Sequence, residues 1–163
     1  PVTLRTVEKR MGVKNEVAAF VVPLGATINM DGTAIMQGAA TVFIAQAFGV
    51  DLAMGDYMMV IVTATLASIG TAGVPGVGLV MLAMVLQQVG LPLEGIALIM
   101  GVDRLLDMIR TAVNITGDSV VSCIVAKSEG SLDLAVYNDE HAGEVDEDID
   151  FHHIGNRQQP LNA

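Results

Sequence analysis

Asp103, Asp107, Arg110, Thr111, Asn114 and Asp118 follow one another through a stretch otherwise apolar enough to lie in a bilayer. At about 100° per residue they fall within an arc of roughly 100° on one helix face, which makes that face a candidate binding site. Ionisable groups at membrane depth cost about 2.5–3.5 kcal/mol each on insertion scales, so a chain that keeps several uses them for a pathway, a relay or a ligand. If Asp31 joins Asp107, Asp118 and Arg110, three carboxylates face one guanidinium. A dry site cannot hold that imbalance cheaply, so bound cations or protons must offset it. A zwitterionic ligand with a further carboxylate supplies matching charges: an ammonium for one Asp, and a carboxylate for the planar guanidinium. The alternative is a structural Asp107–Arg110 ion pair within one helix, which leaves Asp31 and Asp118 without a role.

The elements that must hold these residues are helices in a bilayer. Of the 163 residues, 52% are hydrophobic and the mean hydropathy is +0.57, beyond the apolar share usual in a soluble domain. Residues 1–15 carry Arg5, Lys9, Arg10 and Lys14, so the positive-inside rule places this loop in the cytoplasm. A helical pattern follows from about Val17 to about Gly49, interrupted at Asn29-Met30-Asp31-Gly32-Thr33. Its halves are roughly 20 Å each, so the break falls near mid-membrane. Irregular backbone there must face protein or a cavity, and carbonyls freed beside Asn29 and Asp31 suit a hard cation such as Na⁺.

Two apolar runs, about Tyr57 to Ile69 and about Leu79 to Val89, are each too short to span alone. Between them lies the small-residue tip from Gly70 to Gly78, so the pair reads as a re-entrant hairpin with hinge glycines. The tip has no Gly-Lys-Ser/Thr ending and follows no strand pattern, which excludes a phosphate loop. The last helix is expected to run unbroken from Pro92 to about Lys127, long enough to tilt or project. Residues 131–163 hold eight acidic residues against one basic, reading as a solvated cytoplasmic tail. His141, His152 and His153 lack metal-ligand spacing. The lone Cys123 reads as a small core residue. The acidity belongs mainly to the tail and gives no support to a nucleic-acid partner. With no initiator Met or leader before Pro1, the chain is expected to be the C-terminal part of a longer protein.

Three motifs carry a resemblance. Asn29-Met30-Asp31-Gly32-Thr33, the tip Ser68-Ile69-Gly70-Thr71-Ala72-Gly73-Val74-Pro75-Gly76, and Asp107-x-x-Arg110-Thr111-x-x-Asn114-x-Thr116-Gly117-Asp118 resemble the signatures of the dicarboxylate/amino acid:cation symporters, the glutamate transporter family. The resemblance covers about residues 1–130. It implies an all-α membrane protein whose residues 1–130 form the C-terminal half of a transport domain: the end of a first re-entrant hairpin, a discontinuous seventh helix, a second hairpin and a long eighth helix. Residues 131–163 are the acidic tail.

The resemblance further implies that Asp107 binds the substrate amino group and Arg110 its side-chain carboxylate. Asn114 and Thr111 then meet the main-chain carboxylate or amino group, and Thr33 with the hairpin backbone at Val74, Pro75, Gly76 and Gly78 completes the pocket. Gly25, Asn29, Asn114 and Asp118 resemble one sodium site; Thr27, Ser68, Ile69 and Thr71 resemble a second; Asp31 with Asn29 belongs to a third. The implied activity is inward symport of L-glutamate or L-aspartate with Na⁺, protons or both, without an enzymatic step or an organic cofactor. The implied setting is a multi-pass protein of the cell (inner) membrane, homotrimeric at full length, with a cytoplasmic C-terminus. A C4-dicarboxylate or neutral amino acid symporter of the same family, a cation channel and an inactive truncated product are the competing readings.

Overall fold

The computed structural model describes residues 1–69 and 76–144, and these form helices joined by turns and short irregular links, with one isolated antiparallel bridge between Val13 and Leu132. Helix α1 spans Val2–Lys9, α2 Asn15–Ile28, α3 Asp31–Ala47, α4 Met54–Ser68 and α5 Val77–Gln88. A 3-10 turn at Leu93–Gly95 leads into α6, Ile96–Met100, followed by α7, Asp103–Ser128, and the single turn α8, Leu134–Tyr137.

Asn15–Ala47 and Asp103–Ser128 are each long and apolar enough to cross a membrane. Within the first, Asn29 (φ −108°, ψ 74°) and Met30 (φ −112°, ψ 54°) leave helical geometry. The interruption is narrower than the five residues expected. Asp31, Gly32 and Thr33 already form the first turn of α3, where a carboxylate is favoured by the helix macrodipole. Helices α4 and α5 have 15 and 12 residues, or about 22 and 18 Å, short of a ~30 Å hydrocarbon core.

The continuous helix expected from Pro92 to Lys127 is not formed. It stops at Gly101, and Val102 sits at φ −116°, ψ 0°. Glycine is a poor helix former and valine loses side-chain freedom in a helix, so this pair is a weak link in the run. Tight bonds from Val102 N–H to the Ile99 carbonyl (3.0 Å) and from Leu105 N–H to the Val102 carbonyl (3.0 Å) carry the chain across. Asp103 thereby becomes the first residue of α7.

The core joins Met36, Ala40, Ile44 and Ala45 of α3 to Leu82 and Leu86 of α5, together with Leu91 and Ile99. Gly95 lets the turn before α6 press directly against the Ile44 side chain. Val7, Val13, Ala18 and Ala126 form a second cluster, which fixes α1 and α2 to the end of α7. Phe20, Ile35, Met58, Ile61, Leu66, Val80, Leu105, Met108 and Ile124 stay exposed. So much uncovered apolar surface is characteristic of a membrane or of a large protein contact.

Candidate functional site

The 26 residues of α7 run against both α2 and α3, so one α7 face meets the Asn29–Met30 interruption along its length. Arg110 and Asp118 on that face are buried, and Asp103, Asp107 and Asn114 are half-buried. Thr111 departs from the group: its side lies exposed among the described residues. At the edge of a 100° arc, it is the first residue to turn away when the helix buries only the centre of its polar stripe.

Arg110 donates from Nη2 to Asp107 Oδ1, one turn before it in the helix. Its other terminal nitrogen, Nη1, is buried and has no hydrogen-bond partner among the described residues. Gly78, in the first turn of α5, lies directly against that nitrogen, and a side chain at position 78 would occupy the guanidinium's place. The cationic end is thus held on one edge, walled by glycine backbone on another, and left with an unused donor. A guanidinium in that state is prepared for a planar carboxylate.

Asn114 ties α7 to the start of α3. Its Oδ1 accepts from Gly32 N–H at 2.8 Å, satisfying one of the donors that a helix start leaves free, and its Nδ2 donates to Thr33 Oγ1 at 3.4 Å. Gly32 is required for this approach, because a Cβ there would meet the Arg110 backbone carbonyl and lie 3.0 Å from Asn114 Oδ1. One helical turn further on, Asn29 Nδ2 donates to Asp118 Oδ1 at 2.9 Å, and Gly25 lies against the same carboxylate. Gly117 packs beside Asn29 Nδ2 and close to Asp31 Oδ2. Asn29, Asp31 and Asp118 therefore form one polar cluster of two carboxylates and an amide, with Gly25 packed against it. Asp31 itself is exposed among the described residues. No group of three or more His, Cys, Asp or Glu residues placed to hold a metal occurs among the described residues.

Among the described residues, Thr27, Ser68 and Ile69 of the group expected as a second cation site are not drawn together by hydrogen bonds. Thr27 Oγ1 donates to the Leu24 carbonyl (2.8 Å) and Ser68 Oγ to the Thr65 carbonyl (2.8 Å), each within its own helix. Ser68 is buried, whereas Thr27 and Ile69 are exposed. Gly76 precedes α5 in the left-handed region (φ 85°), a conformation that favours glycine. Thr71, Val74 and Pro75 lie outside the described residues, as do His152 and His153.

Gln37 was missed by the sequence reading. It is fully buried in α3, and neither its Nε2 nor its Oε1 has a partner among the described residues. Its four-residue spacing from Thr33 and Thr41, both buried, makes a polar column along α3 that an apolar count of this helix hides. Asp103 Oδ1 is likewise buried without a partner among the described residues.

The profile of the sodium:dicarboxylate symporter family matches residues 1–128. The chain belongs to that family. It is 51% identical over 125 residues to an excitatory amino acid transporter of Caenorhabditis elegans, a match covering 77% of this chain and 25% of that protein. It is 52% identical over 127 residues to excitatory amino acid transporter 3 of Mus musculus, covering 78% and 24%. Excitatory amino acid transporter 2 of Homo sapiens is 47% identical over 154 residues, covering 93% of this chain and 26% of its own length. That alignment reaches well into the acidic segment, for which the motifs had offered no counterpart. The chain spans about a quarter of the length of the curated relatives it matches. These relatives are transporters rather than enzymes.

Proposed function

We propose that the full-length protein carrying this chain is a sodium-coupled symporter of acidic amino acids. The observation that carries the reading is the buried Arg110, paired with Asp107 on one side and left with an unused Nη1 on the other. Asp107 receives the ammonium of glutamate or aspartate, Arg110 its side-chain carboxylate, and Asn114 with Thr33 the main-chain carboxylate. Asn29 and Asp118, backed by Gly25, hold a sodium ion beside it, and Asp31 with Asn29 holds another. Thr27, Ser68, Ile69 and Thr71 form a further sodium site once the hairpin tip closes over the substrate. Thr111, Val74, Pro75, Gly76 and Gly78 complete the substrate pocket.

Cation binding makes this electronegative pocket fit for an anionic ligand, which is a physical basis for coupling. In this reading α2 and α3 are one discontinuous transmembrane helix, α4 and α5 a re-entrant hairpin, and α7 the final transmembrane helix of a multi-pass, homotrimeric membrane protein. Its acidic C-terminal segment is cytoplasmic. The names of the relatives, excitatory amino acid transporters, support the substrate class.

The test is Arg110→Ala in the full-length protein, with binding measured by calorimetry in saturating sodium. Loss of aspartate and glutamate binding is expected, with the sodium-dependent stabilisation of the protein retained. Unchanged aspartate affinity would sink the assignment of Arg110.

A further inference from the structure

A second feature lies at the opposite end of α7, away from the substrate residues. Arg5, Lys9 and Arg10 line a groove of about 300 Å³ beside α1, together with Val2, Thr6 and Gly143. All three cations are exposed, and none forms an ion pair among the described residues. The one acid on α1, Glu8, is engaged elsewhere, accepting from Asn15 Nδ2.

The C-terminal chain is led to this groove by backbone bonds. Beyond α7, the Ser131 carbonyl accepts from Lys14 N–H (3.0 Å) and Asp133 N–H donates to the Gly12 carbonyl (2.8 Å), around the Val13–Leu132 bridge. After α8, bonds from Ala142 N–H to the Asp139 carbonyl and from Glu144 N–H to the His141 carbonyl turn the chain back. Gly143 then seats against α1: its φ is +69°, and a Cβ there would lie 3.0 Å from the Lys9 carbonyl oxygen and 2.9 Å from Arg10 Cγ. The acids that follow are Glu144, Asp146, Glu147, Asp148 and Asp150, so an acidic run begins where the chain reaches a basic groove whose cations form no ion pair among the described residues.

We propose that the acidic segment from Glu144 to Asp150 occupies the basic groove of Arg5, Lys9 and Arg10 as an electrostatic latch between the C-terminal segment and α1. Several exposed charges of opposite sign brought within one screening length hold the segment at low ionic strength and release it at high. This surface is independent of the substrate site and does not rest on the transport reading.

The test is disulfide cross-linking of Val2→Cys with Ile149→Cys in the full-length protein, in a background free of other accessible cysteines, Cys123→Ser included. In phosphatidylcholine vesicles the cross-linking rate should fall about tenfold between about 50 and about 500 mM salt. It should fall similarly when Arg5, Lys9 and Arg10 are changed to Gln. A second variant, Asp146→Asn with Glu147→Gln, Asp148→Asn and Asp150→Asn, leaves the folded helices untouched and should give the same fall. A rate unaffected by salt and by both neutralised variants overturns the latch. Cross-linking that disappears when phosphatidylglycerol is added also overturns it, since lipid headgroups would then hold the groove.

Discussion

Gly78→Ala displaces the Arg110 guanidinium while leaving the arginine itself unchanged. The added methyl would sit 2.8 Å from Arg110 Cζ and 3.3 Å from Nη2, and closer still to Nη1. The guanidinium must therefore retreat by on the order of 1 Å, which carries a ~2.9 Å hydrogen bond beyond the distance at which it counts as one. Charge-assisted hydrogen bonds contribute about 1.5–3 kcal/mol each, so losing one costs roughly 10- to 100-fold in affinity for an acidic amino acid. Stability should not fall in parallel. Gly78 is helical with no positive φ, and alanine is favoured over glycine inside a helix by about 0.8–1 kcal/mol. The assay is labelled L-aspartate binding to the purified full-length protein, beside its thermal unfolding temperature. Reduced affinity with unchanged or raised unfolding temperature is expected. Aspartate affinity within about threefold of the unmodified protein would refute the argument that the Gly78 backbone positions Arg110 for substrate.

Other perturbations separate the parts of the site. Gly25→Ala crowds the Asp118 carboxylate, whose Cγ would lie 2.8 Å from the new methyl, and should raise half-saturating sodium about tenfold in sodium titrations of aspartate binding. Arg110→Lys keeps the charge but loses the planar fork, so acidic amino-acid affinity should drop at least about tenfold in the same calorimetry that tests the alanine variant. Asn114→Ala leaves the Gly32 N–H without its 2.8 Å acceptor and should destabilise the protein by about 1–3 kcal/mol, read by denaturant unfolding in detergent. Ile44→Ala removes a fully buried side chain packed on Gly95 and should cost about 2–5 kcal/mol in that assay while leaving the affinity of the folded protein for aspartate unchanged.

The all-helical character and the two stretches of membrane-crossing length were legible because apolar runs of that length have few alternatives. The polar face of α7 was legible for the same local reason: its residues recur every three or four positions. The non-local part was legible only through the family resemblance, which groups Gly25 with Asp118 and Gly78 with Arg110. No spacing rule reveals either pair, since each is brought together by packing between helices distant in sequence. The stop at Gly101–Val102 was hidden by the apolar residues around it, which continue the pattern while the backbone does not. Gln37 escaped for the opposite reason, as one of two amides in a helix rich enough in Ala and Ile to read as core. Thr111 was placed by the helical wheel on the polar face, and the width of the strip buried by the described residues decides that it is exposed among them.

The measurement closest to the central claim is accumulation of labelled L-aspartate by the full-length protein in liposomes, with sodium and pH gradients imposed separately. Two carboxylates beside an amide at the helix interruption, next to a half-paired buried guanidinium, predict uptake driven by an inward sodium gradient and lost on Arg110→Ala. Accumulation driven by the pH gradient alone, or sodium-driven aspartate uptake that survives Arg110→Ala, would contradict it.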